Sequence, residues 1–413
     1  MYLNDGSIPR VVMKLAKRVQ LKPTKLLEDL CIKSRNLYNV ANWYVRQDMF
    51  NLGNLLFYTD LHAMLRHHET YVDLQALAGS HAPQQVLRQV EKAWKGFFAA
   101  MKAWRDDPSK FRGRPRPPAY KRKGEGNVVS FTNTQTRVRD GTVRLPEKLM
   151  ARGMPVIKTA YTDDEVIGVR IVPFGDRYNY EILHEVDVQD LGLDRGKAIG
   201  VDIGLNNAVT TSDGKIVKGG AIKSINQHYN KQLAKYKSIA KKVNDLETTN
   251  QIRKLSRVRN NKIHGKMHQV SRELIDHCIA TGTGTIIIGY NAGWKDSINI
   301  GKRNNQNFVQ VPFLKLVGMI EYKAMLVGIE VCRVTEEYTS QACSRCGQRR
   351  KANRMHRGLY TCKRCGLIIN ADINAARNIK QKGLREQQPV VEAVARVVDR
   401  GGMNPPFEIK AVA

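Results

Sequence analysis

Four cysteines stand in two C-x-x-C pairs, "CSRCG" (Cys343 and Cys346) and "CKRCG" (Cys362 and Cys365). Each pair places two thiols on one side of a tight turn, and the two turns together supply four sulfur ligands for a tetrahedral metal. The pattern predicts one structural Zn²⁺, with a redox-active pair as the alternative. Because four thiolates fill the coordination sphere, we expect the reaction chemistry to lie elsewhere.

Two aspartates are the first candidates for that chemistry. Asp202, in "GVDIG", ends a predicted buried strand, and Asp372, in "ADINAARNI", opens a predicted helix. Each has a structural alternative, since Asp202 fits a turn and Asp372 fits a helix cap. Taken together, an aspartate on a first strand and one on a late helix are how RNase H-like nucleases gather carboxylates around two Mg²⁺ ions.

Several motifs resemble the TnpB family of insertion-sequence-encoded RNA-guided nucleases, which are related to compact type V CRISPR effectors. The RuvC and zinc-ribbon motifs correspond to "GVDIGLNNAVTTSDG", "YTSQACSRCG", "YTCKRCG" and "ADINAARNI", and "QQVLRQVEKAWKGFF" and "IEYKAMLVGIEV" are similar to further family segments. The resemblance implies a Mg²⁺-dependent, RuvC-type DNA endonuclease. Such an enzyme binds a guide RNA from its own locus or a CRISPR array, recognises a short flanking duplex motif, unwinds double-stranded DNA and cuts it at a single site.

One position departs from the family pattern. The family usually places a Glu at the end of the strand that here reads "GTIIIGYNAGW", where this chain has Gly289. Either the protein is a nuclease-inactive RNA-guided DNA-binding repressor, or another carboxylate takes the place of that Glu. A Glu in "EVCRVTEEYTSQ" is the candidate, because this strand should lie beside the "GTIIIG" strand and end at the same crevice. We favour Glu336, which continues the more apolar side of Cys332 and Val334. Strand alternation leaves Glu337 as the alternative, and Asp296 is a poorer choice. The predicted catalytic and magnesium-binding set is Asp202, Glu336 and Asp372.

The charge of the chain predicts a polyanionic partner. Lys and Arg number 68 against 38 Asp and Glu, a formal net charge of +30, and cationic side chains gain by releasing counterions from a phosphate backbone. An anionic membrane surface is disfavoured, because no apolar run approaches the ~18 residues of a spanning helix. No secretory signal is visible at the start. We therefore expect a cytoplasmic protein that faces nucleic acid, and the resemblance implies that it is prokaryotic and nucleoid-associated when bound to DNA. A transposase-type strand transferase is disfavoured because no H-x-H pair occurs.

The cationic candidates for nucleic-acid binding lie in two segments. A Pro- and Gly-rich linker interleaves aromatic and basic residues, which favours backbone contact. A basic helical pair is expected to follow the phosphates of a guide–target heteroduplex, with a solvated helical face as the alternative. The candidates are Arg112, Arg114, Lys121, Arg122, Lys241, Lys242, Arg253 and Arg257.

The residue patterns, together with the resemblance, predict an α+β multidomain protein. It combines a small β-barrel with an inserted helical lobe, an RNase H-like (RuvC) α/β nuclease domain, and a zinc ribbon inserted in that domain. The predicted bounds are 1–21 and 119–190 for the wedge-like barrel, 22–118 for the helical lobe with its linker, 195–340 and 367–382 for the nuclease domain, 341–366 for the ribbon, and 383–413 for a flexible tail. Because the ribbon joins the Glu336 strand to the Asp372 helix, we expect it to hold those two carboxylates in register.

Overall fold

A computed structural model describes residues 11–111, 113–244, 246–291, 302–356, 358–386 and 409–411. Its contacts divide the chain into an N-terminal unit, built on residues 12–186 with the strand at 409–411, and a C-terminal unit, built on 187–386. No helix in these ranges is both long and apolar enough to cross a lipid bilayer.

The N-terminal unit begins with a strand, continues with four helices and then turns to strands. Its elements are β1 (Val11–Leu21), α1 (Lys25–Leu52), α2 (Tyr58–Leu65), α3 (Glu69–Ala78), α4 (His81–Asp106), β2 (Val129–Thr132), β3 (Arg137–Arg139), β4 (Thr142–Arg144), α5 (Glu147–Met150), β5 (Ile157–Lys158), β6 (Val166–Phe174) and β7 (Arg177–Asp187). The apolar spacing predicts α1 and α4, whereas α2 and α3 between them were not predicted.

The C-terminal unit carries the remaining strands and helices, apart from the last strand. They are β8 (Asp194–Asp202), β9 (Asn207–Thr211), β10 (Ile216–Lys218), α6 (Gly220–Asn244), α7 (Asn250–Ala280), β11 (Thr283–Gly289), α8 (Lys302–Val309), α9 (Phe313–Met325), β12 (Glu330–Val334), β13 (Arg354–His356), β14 (Leu359–Thr361), β15 (Ile368–Ile369) and α10 (Ala371–Arg385). A short strand, β16 (Ile409–Ala411), belongs to the N-terminal unit. Helix α10 extends to Arg385, so the first residues of the predicted tail are helical.

The strands of the N-terminal unit form two sheets, ordered β16-β1-β7-β6-β2 and β3-β4-β5. Two tight turns connect consecutive strands of this unit. Asp140 and Gly141 join β3 to β4 with φ of 50° and 64°, and Gly175 turns β6 into β7 with φ of 63°. The predicted single small β-barrel needs correction, because the described strands fall into two separate sheets. A short 3-10 turn, Asn133–Gln135, follows β2 and leads the chain out of the first sheet into the second.

The sheet of the C-terminal unit has the order β10-β9-β8-β11-β12, with β11 parallel to both β8 and β12. Every residue of β11 is buried, as expected for a strand covered on both faces. Ile286 and Ile288 join a core with residues of α7 and α9, whereas Ile287 packs with Ile379 of α10. Since β8, β11 and β12 run parallel, their carboxyl ends meet at one edge of the sheet.

The packing of α10 on β8 depends on a missing side chain. A Cβ at Gly200 would lie 2.1 Å from the carbonyl oxygen of Ala376 and 2.7 Å from the backbone nitrogen of Lys380. These neighbours are helix backbone, which cannot rotate away. The glycine therefore sets how closely the helix that carries Asp372 approaches the strand that carries Asp202.

We expect Gly200→Ala to lower the free energy of unfolding of the C-terminal unit by about 1–3 kcal/mol, since α10 must move outward. Gly265→Ala is the matched control: no atom lies within 4 Å of its added Cβ in α7, and removing a helix-interior glycine should raise stability by about 0.5–1 kcal/mol. Urea unfolding followed by circular dichroism measures both. Equal midpoints for the two variants would contradict this account of the packing.

Candidate functional site

The four predicted cysteine ligands come together in the segment between β12 and α10. Their sulfur atoms all lie within 4.8 Å of one another, and the pairs Cys343–Cys365 and Cys346–Cys362 are each 3.6 Å apart. Zn–S bonds of about 2.3 Å place the sulfurs of a tetrahedral site about 3.8 Å apart. The cluster therefore has the dimensions of a four-thiolate metal site.

Each C-x-x-C pair forms the same turn. The Gly347 N–H donates to the carbonyl oxygen of Cys343, and the Gly366 N–H donates to that of Cys362. Both glycines have left-handed φ, 71° and 70°, a conformation that glycine adopts without strain. The backbone N–H of Cys365 lowers the pKa of the Cys362 thiol, which favours the thiolate that a metal needs, whereas burial raises the pKa of the Cys343 thiol.

Two buried or nearly buried asparagines tie α10 to the first cysteine turn. The Asn374 side chain accepts the N–H of Ser344 at 2.9 Å and donates to the Ala342 carbonyl at 2.8 Å. The Asn378 amide donates to the carbonyls of Thr339 at 2.7 Å and Ala342 at 2.8 Å. The helix and the cysteine turn are therefore joined by a set of short polar contacts.

Asp372 lies in the first turn of α10 but does not cap it. The cap is Asn370, whose side chain accepts the N–H groups of Asp372 and Ile373. The Asp372 carboxylate instead accepts from the Asn207 amide at 2.8 Å and lies 3.6 Å from the Arg354 guanidinium. The helix-capping alternative for Asp372 is therefore wrong, and its carboxylate is available for other contacts.

Glu336 is held two residues beyond the end of β12. As predicted, β12 lies directly beside β11, with Val334 in register with Gly289. The Glu336 N–H donates to the Asn291 side chain at 2.9 Å, and its carbonyl accepts from the Thr339 hydroxyl at 2.9 Å. Its Oε1 atom is buried and has no hydrogen-bond partner. Glu337 is exposed, and Asp296 lies outside the described residues.

Asp202, at the end of β8, interacts with both other carboxylates. Burial first and the charge of Asp372 second raise the Asp202 pKa to about 7, while Arg354 opposes the shift. Burial first and the charge of Asp202 second raise the Glu336 pKa to about 8. Like charges that share a poorly hydrated site cannot all ionise at neutral pH without a cation.

The oxygen donors around Asp202 suit a hard divalent cation. Thr210, the register partner of Asp202 on β9, has a buried hydroxyl without a hydrogen-bond partner, like Glu336 Oε1. Buried oxygens without partners are costly unless a ligand satisfies them. The three carboxylates are a looser set than the cysteines: among the described residues, only the cysteine cluster brings three or more His, Cys, Asp or Glu ligand atoms within 4.8 Å.

The basic candidates of the N-terminal unit differ in how exposed their side chains are. Arg114 is exposed with its guanidinium 6.0 Å from the Trp104 ring centre, and Arg122 is exposed. Lys121 is half-buried, with its ammonium 5.1 Å from the Tyr38 ring. Its backbone also pairs with the Asn39 side chain, so Lys121 helps to attach the linker to α1. Arg112 lies outside the described residues.

The basic candidates of the C-terminal unit lie on α6 and α7, as predicted from the sequence. Lys241 and Lys242 are exposed near the end of α6, and Arg253 is exposed at the start of α7. Arg257 is half-buried. Three of the four are therefore accessible to a polyanion.

Several polar residues of the site were not predicted from the sequence. Asn207 and Arg354 orient Asp372, Asn291 holds the backbone of Glu336, and Asn374 and Asn378 attach α10 to the cysteine turn. The last two had a signal, since "NADINAARN" places two asparagines four residues apart on one helix face. The others act across the fold and have no local pattern.

We expect Asn378→Ala to lower the free energy of unfolding by about 1–3 kcal/mol, because the buried Thr339 carbonyl loses its side-chain donor. Gln381→Ala removes a single exposed hydrogen bond from the same helix to the Ser344 carbonyl and should cost much less. Thermal unfolding of both variants gives the comparison. A cost for Gln381→Ala that matched or exceeded that of Asn378→Ala would show that the asparagine contacts do not stabilise this junction.

Two family models match the C-terminal unit. The model described as "Probable transposase" (OrfB_IS605) covers residues 181–295, and the model described as "Cas12f1-like, TNB domain" covers 313–379. The second match begins at α9 and includes Glu336, all four clustered cysteines and Asp372.

Three curated relatives are named as endonucleases or as a TnpB-like protein. The chain is 40% identical over 112 residues to the CRISPR-associated endodeoxyribonuclease Cas12f1 of Sulfoacidibacillus thermotolerans, a match that covers 27% of this chain and 25% of that protein. It is 23% identical to the putative RNA-guided DNA endonuclease InsQ of Escherichia coli, over 73% of both chains. It is 24% identical to the TnpB-like protein ORF457 of Acidianus two-tailed virus, over 91% of this chain and 86% of that one.

Solved structures of compact CRISPR effectors also align with the chain. A Cas12f1–sgRNA–target DNA complex covers 89% of this chain and 99% of its own, at 15% identity with a TM-score of 0.36. The mini-RNA-guided endonuclease CRISPR-Cas_phi3 covers 90% of this chain and 92% of its own, at 11% identity with a TM-score of 0.45.

Proposed function

This chain is related to the TnpB family, as its motifs predicted, and on that premise we propose that it is an RNA-guided DNA endonuclease with an RNase H-like (RuvC-type) site. Asp202, Glu336 and Asp372 form the site, which hydrolyses phosphodiesters of double-stranded DNA. The relatives named as RNA-guided or CRISPR-associated endonucleases support the activity. The match to the first of these relatives covers only a quarter of that relative's length, so the substrate and the partners are part of the proposal.

One observation carries the assignment of the site. The Glu336 carboxyl group, two residues beyond the end of β12, has a buried oxygen without a hydrogen-bond partner. Burial first and the charge of Asp202 second raise its pKa. A purely structural glutamate would be expected to have a partner for that oxygen or to lie in water. A cation held between the carboxylates would satisfy it.

The residues around the site have different roles. Asp202 interacts electrostatically with Asp372 and with Glu336. Asn207 and Arg354 hold the Asp372 carboxylate, and Asn291 fixes the backbone of Glu336. Two Mg²⁺ ions bound there would supply activation of a water and stabilisation of the leaving oxygen. The carboxylates that would bind them project from the carboxyl edge of the sheet and the first turn of α10.

The proposed partners are inferred from the net positive charge of the chain and from the names of its relatives. The guide RNA, from the protein's own locus or a CRISPR array, and the target DNA contact the exposed cations of the linker, α6 and α7. Base pairing reads the target, and the protein reads a short flanking duplex motif. One structural Zn²⁺ in the cysteine cluster holds the ribbon, which keeps the Glu336 and Asp372 segments in register.

We expect Asp202→Ala and Glu336→Gln each to lower DNA cleavage by at least about 100-fold, because each loses several kcal/mol of metal-assisted stabilisation of the transition state. The matched control is Glu337→Gln, which changes the exposed neighbour and should cleave like the wild type. The assay is cleavage of supercoiled plasmid in Mg²⁺ with the copurifying RNA, sequenced to define the target. Electrophoretic mobility shifts check that DNA binding is retained.

Two outcomes of this assay would contradict the proposal. Loss of cleavage in Glu337→Gln with full activity in Glu336→Gln would assign the site to the other glutamate. A wild-type complex that binds its target without nicking it would be an RNA-guided DNA-binding repressor.

We expect Cys362→Ser to remove zinc from the purified protein and to lower both stability and cleavage, because three thiolates leave the metal site incomplete. Zinc content by mass spectrometry and thermal unfolding measure the first two effects. Cys278→Ala is the control, since Cys278 lies in the apolar core of α7, outside the cluster, and alanine places no hydroxyl there. Unchanged folding and cleavage in Cys362→Ser would show that the ribbon does not position the carboxylates.

A further inference from the structure

The Glu336 side chain occupies the space that a side chain at position 289 would need. A Cβ built on Gly289 would lie 2.7 Å from both Cγ and Oε1 of Glu336 and 2.6 Å from Cδ1 of Ile379. Such distances are shorter than real Cβ contacts, so one group must move. Gly289 is buried at the end of β11, and the space above it is enclosed by α10 on one side and Glu336 on the other.

The backbone of Glu336 has little freedom to give way. Tyr290 N–H donates to the Val334 carbonyl at 2.8 Å, and Glu336 N–H donates to the Asn291 side chain at 2.9 Å. The chain after β12 therefore continues alongside the end of β11. Beyond it, Thr339 donates to the Glu336 carbonyl from both its backbone N–H and its hydroxyl.

The turn that follows Glu336 is also specialised. Tyr338 adopts a left-handed φ of 64°, which is uncommon for a residue other than glycine and is maintained by surrounding contacts. The Arg349 guanidinium lies 3.4 Å from the centre of its ring. These contacts fix the route of the chain out of the site, so the Glu336 side chain cannot easily be relocated by a shift of its own backbone.

We propose that Gly289 and Glu336 form a reciprocal pair, in which the glycine is a positioning residue that admits the glutamate carboxyl and only one carboxylate at a time can enter the shared volume. This inference rests on the proposed nuclease site. It adds that the volume over β11 accepts a carboxylate from either of two adjacent strands, provided that the other strand offers no side chain there.

The pair makes a sharp prediction about single and double substitutions. Gly289→Ala adds one carbon where Glu336 lies, so cleavage and Mn²⁺ affinity should each fall by about 10–100-fold, as for loss of a residue that orients a metal ligand. Glu336→Gly removes the carboxylate and should abolish both cleavage and Mn²⁺ binding at the site. Gly289→Glu combined with Glu336→Gly returns a carboxylate to the same volume, and should recover at least about tenfold over Glu336→Gly in both readouts.

The experiment uses the full chain with its copurifying RNA and two measurements, plasmid cleavage in Mg²⁺ and Mn²⁺ binding by calorimetry. Gly318→Ala is the matched control, because no atom lies within 4 Å of its added Cβ in α9. Urea unfolding shows whether each variant folds. The metal-binding readout does not require cleavage, so it tests the pair even if the protein cuts nothing.

The outcomes separate the pair from the nuclease proposal. Gly289→Ala that matches Gly318→Ala in cleavage and Mn²⁺ binding overturns the pair and leaves the nuclease intact. A folded double variant no better than Glu336→Gly also overturns it. Glu336→Gly with full cleavage would instead remove Glu336 from the proposed site. If the double variant does not fold, the comparison of Gly289→Ala with Gly318→Ala decides the question.

Discussion

The C-terminal unit brings mutually repelling carboxylates to one edge of a buried sheet. Burial first and the charge of Asp372 second raise the Asp202 pKa, and burial first and the charge of Asp202 second raise the Glu336 pKa. Burial adds to the repulsion because it disfavours every charged form. The fold must hold these groups in place against that cost, and a bound divalent cation would convert the cost into binding energy. Many polar contacts around the site serve this one constraint.

Close backbone approach is what allows the groups to converge. Gly200 lets α10 lie directly on β8, and Gly289 leaves room for a side chain that arrives from β12. Asn374 and Asn378 then fasten α10 to the first cysteine turn. The cysteine segment thus does more than connect two parts of the sequence, because its backbone is hydrogen-bonded to the helix that carries Asp372.

Much of this arrangement could be predicted from the sequence. The two C-x-x-C pairs have a local signature, and the Asp-Gly hairpin of β3 and β4 and the buried strand β11 follow from residue type and alternation. These are features that a short stretch of chain determines largely by itself.

Other features depend on tertiary packing and have no local pattern. The division of the N-terminal strands into two sheets depends on where the chain leaves β2, which alternation does not reveal. The contacts of Asn207 and Arg354 with Asp372 join residues more than 15 positions apart. Likewise, the glycine at 289 gave only the absence of a carboxylate, whereas the coordinates give the reason that Glu336 fits there.

Anomalous diffraction from crystals grown with Mn²⁺ would locate any divalent cation held by the carboxylates. We expect Mn²⁺ bound by carboxylate oxygens of Asp202, Glu336 and Asp372, at a position separate from the four cysteines. A crystal in which Mn²⁺ avoids all three carboxylates at saturating concentration, with Glu336 turned to solvent, would contradict it.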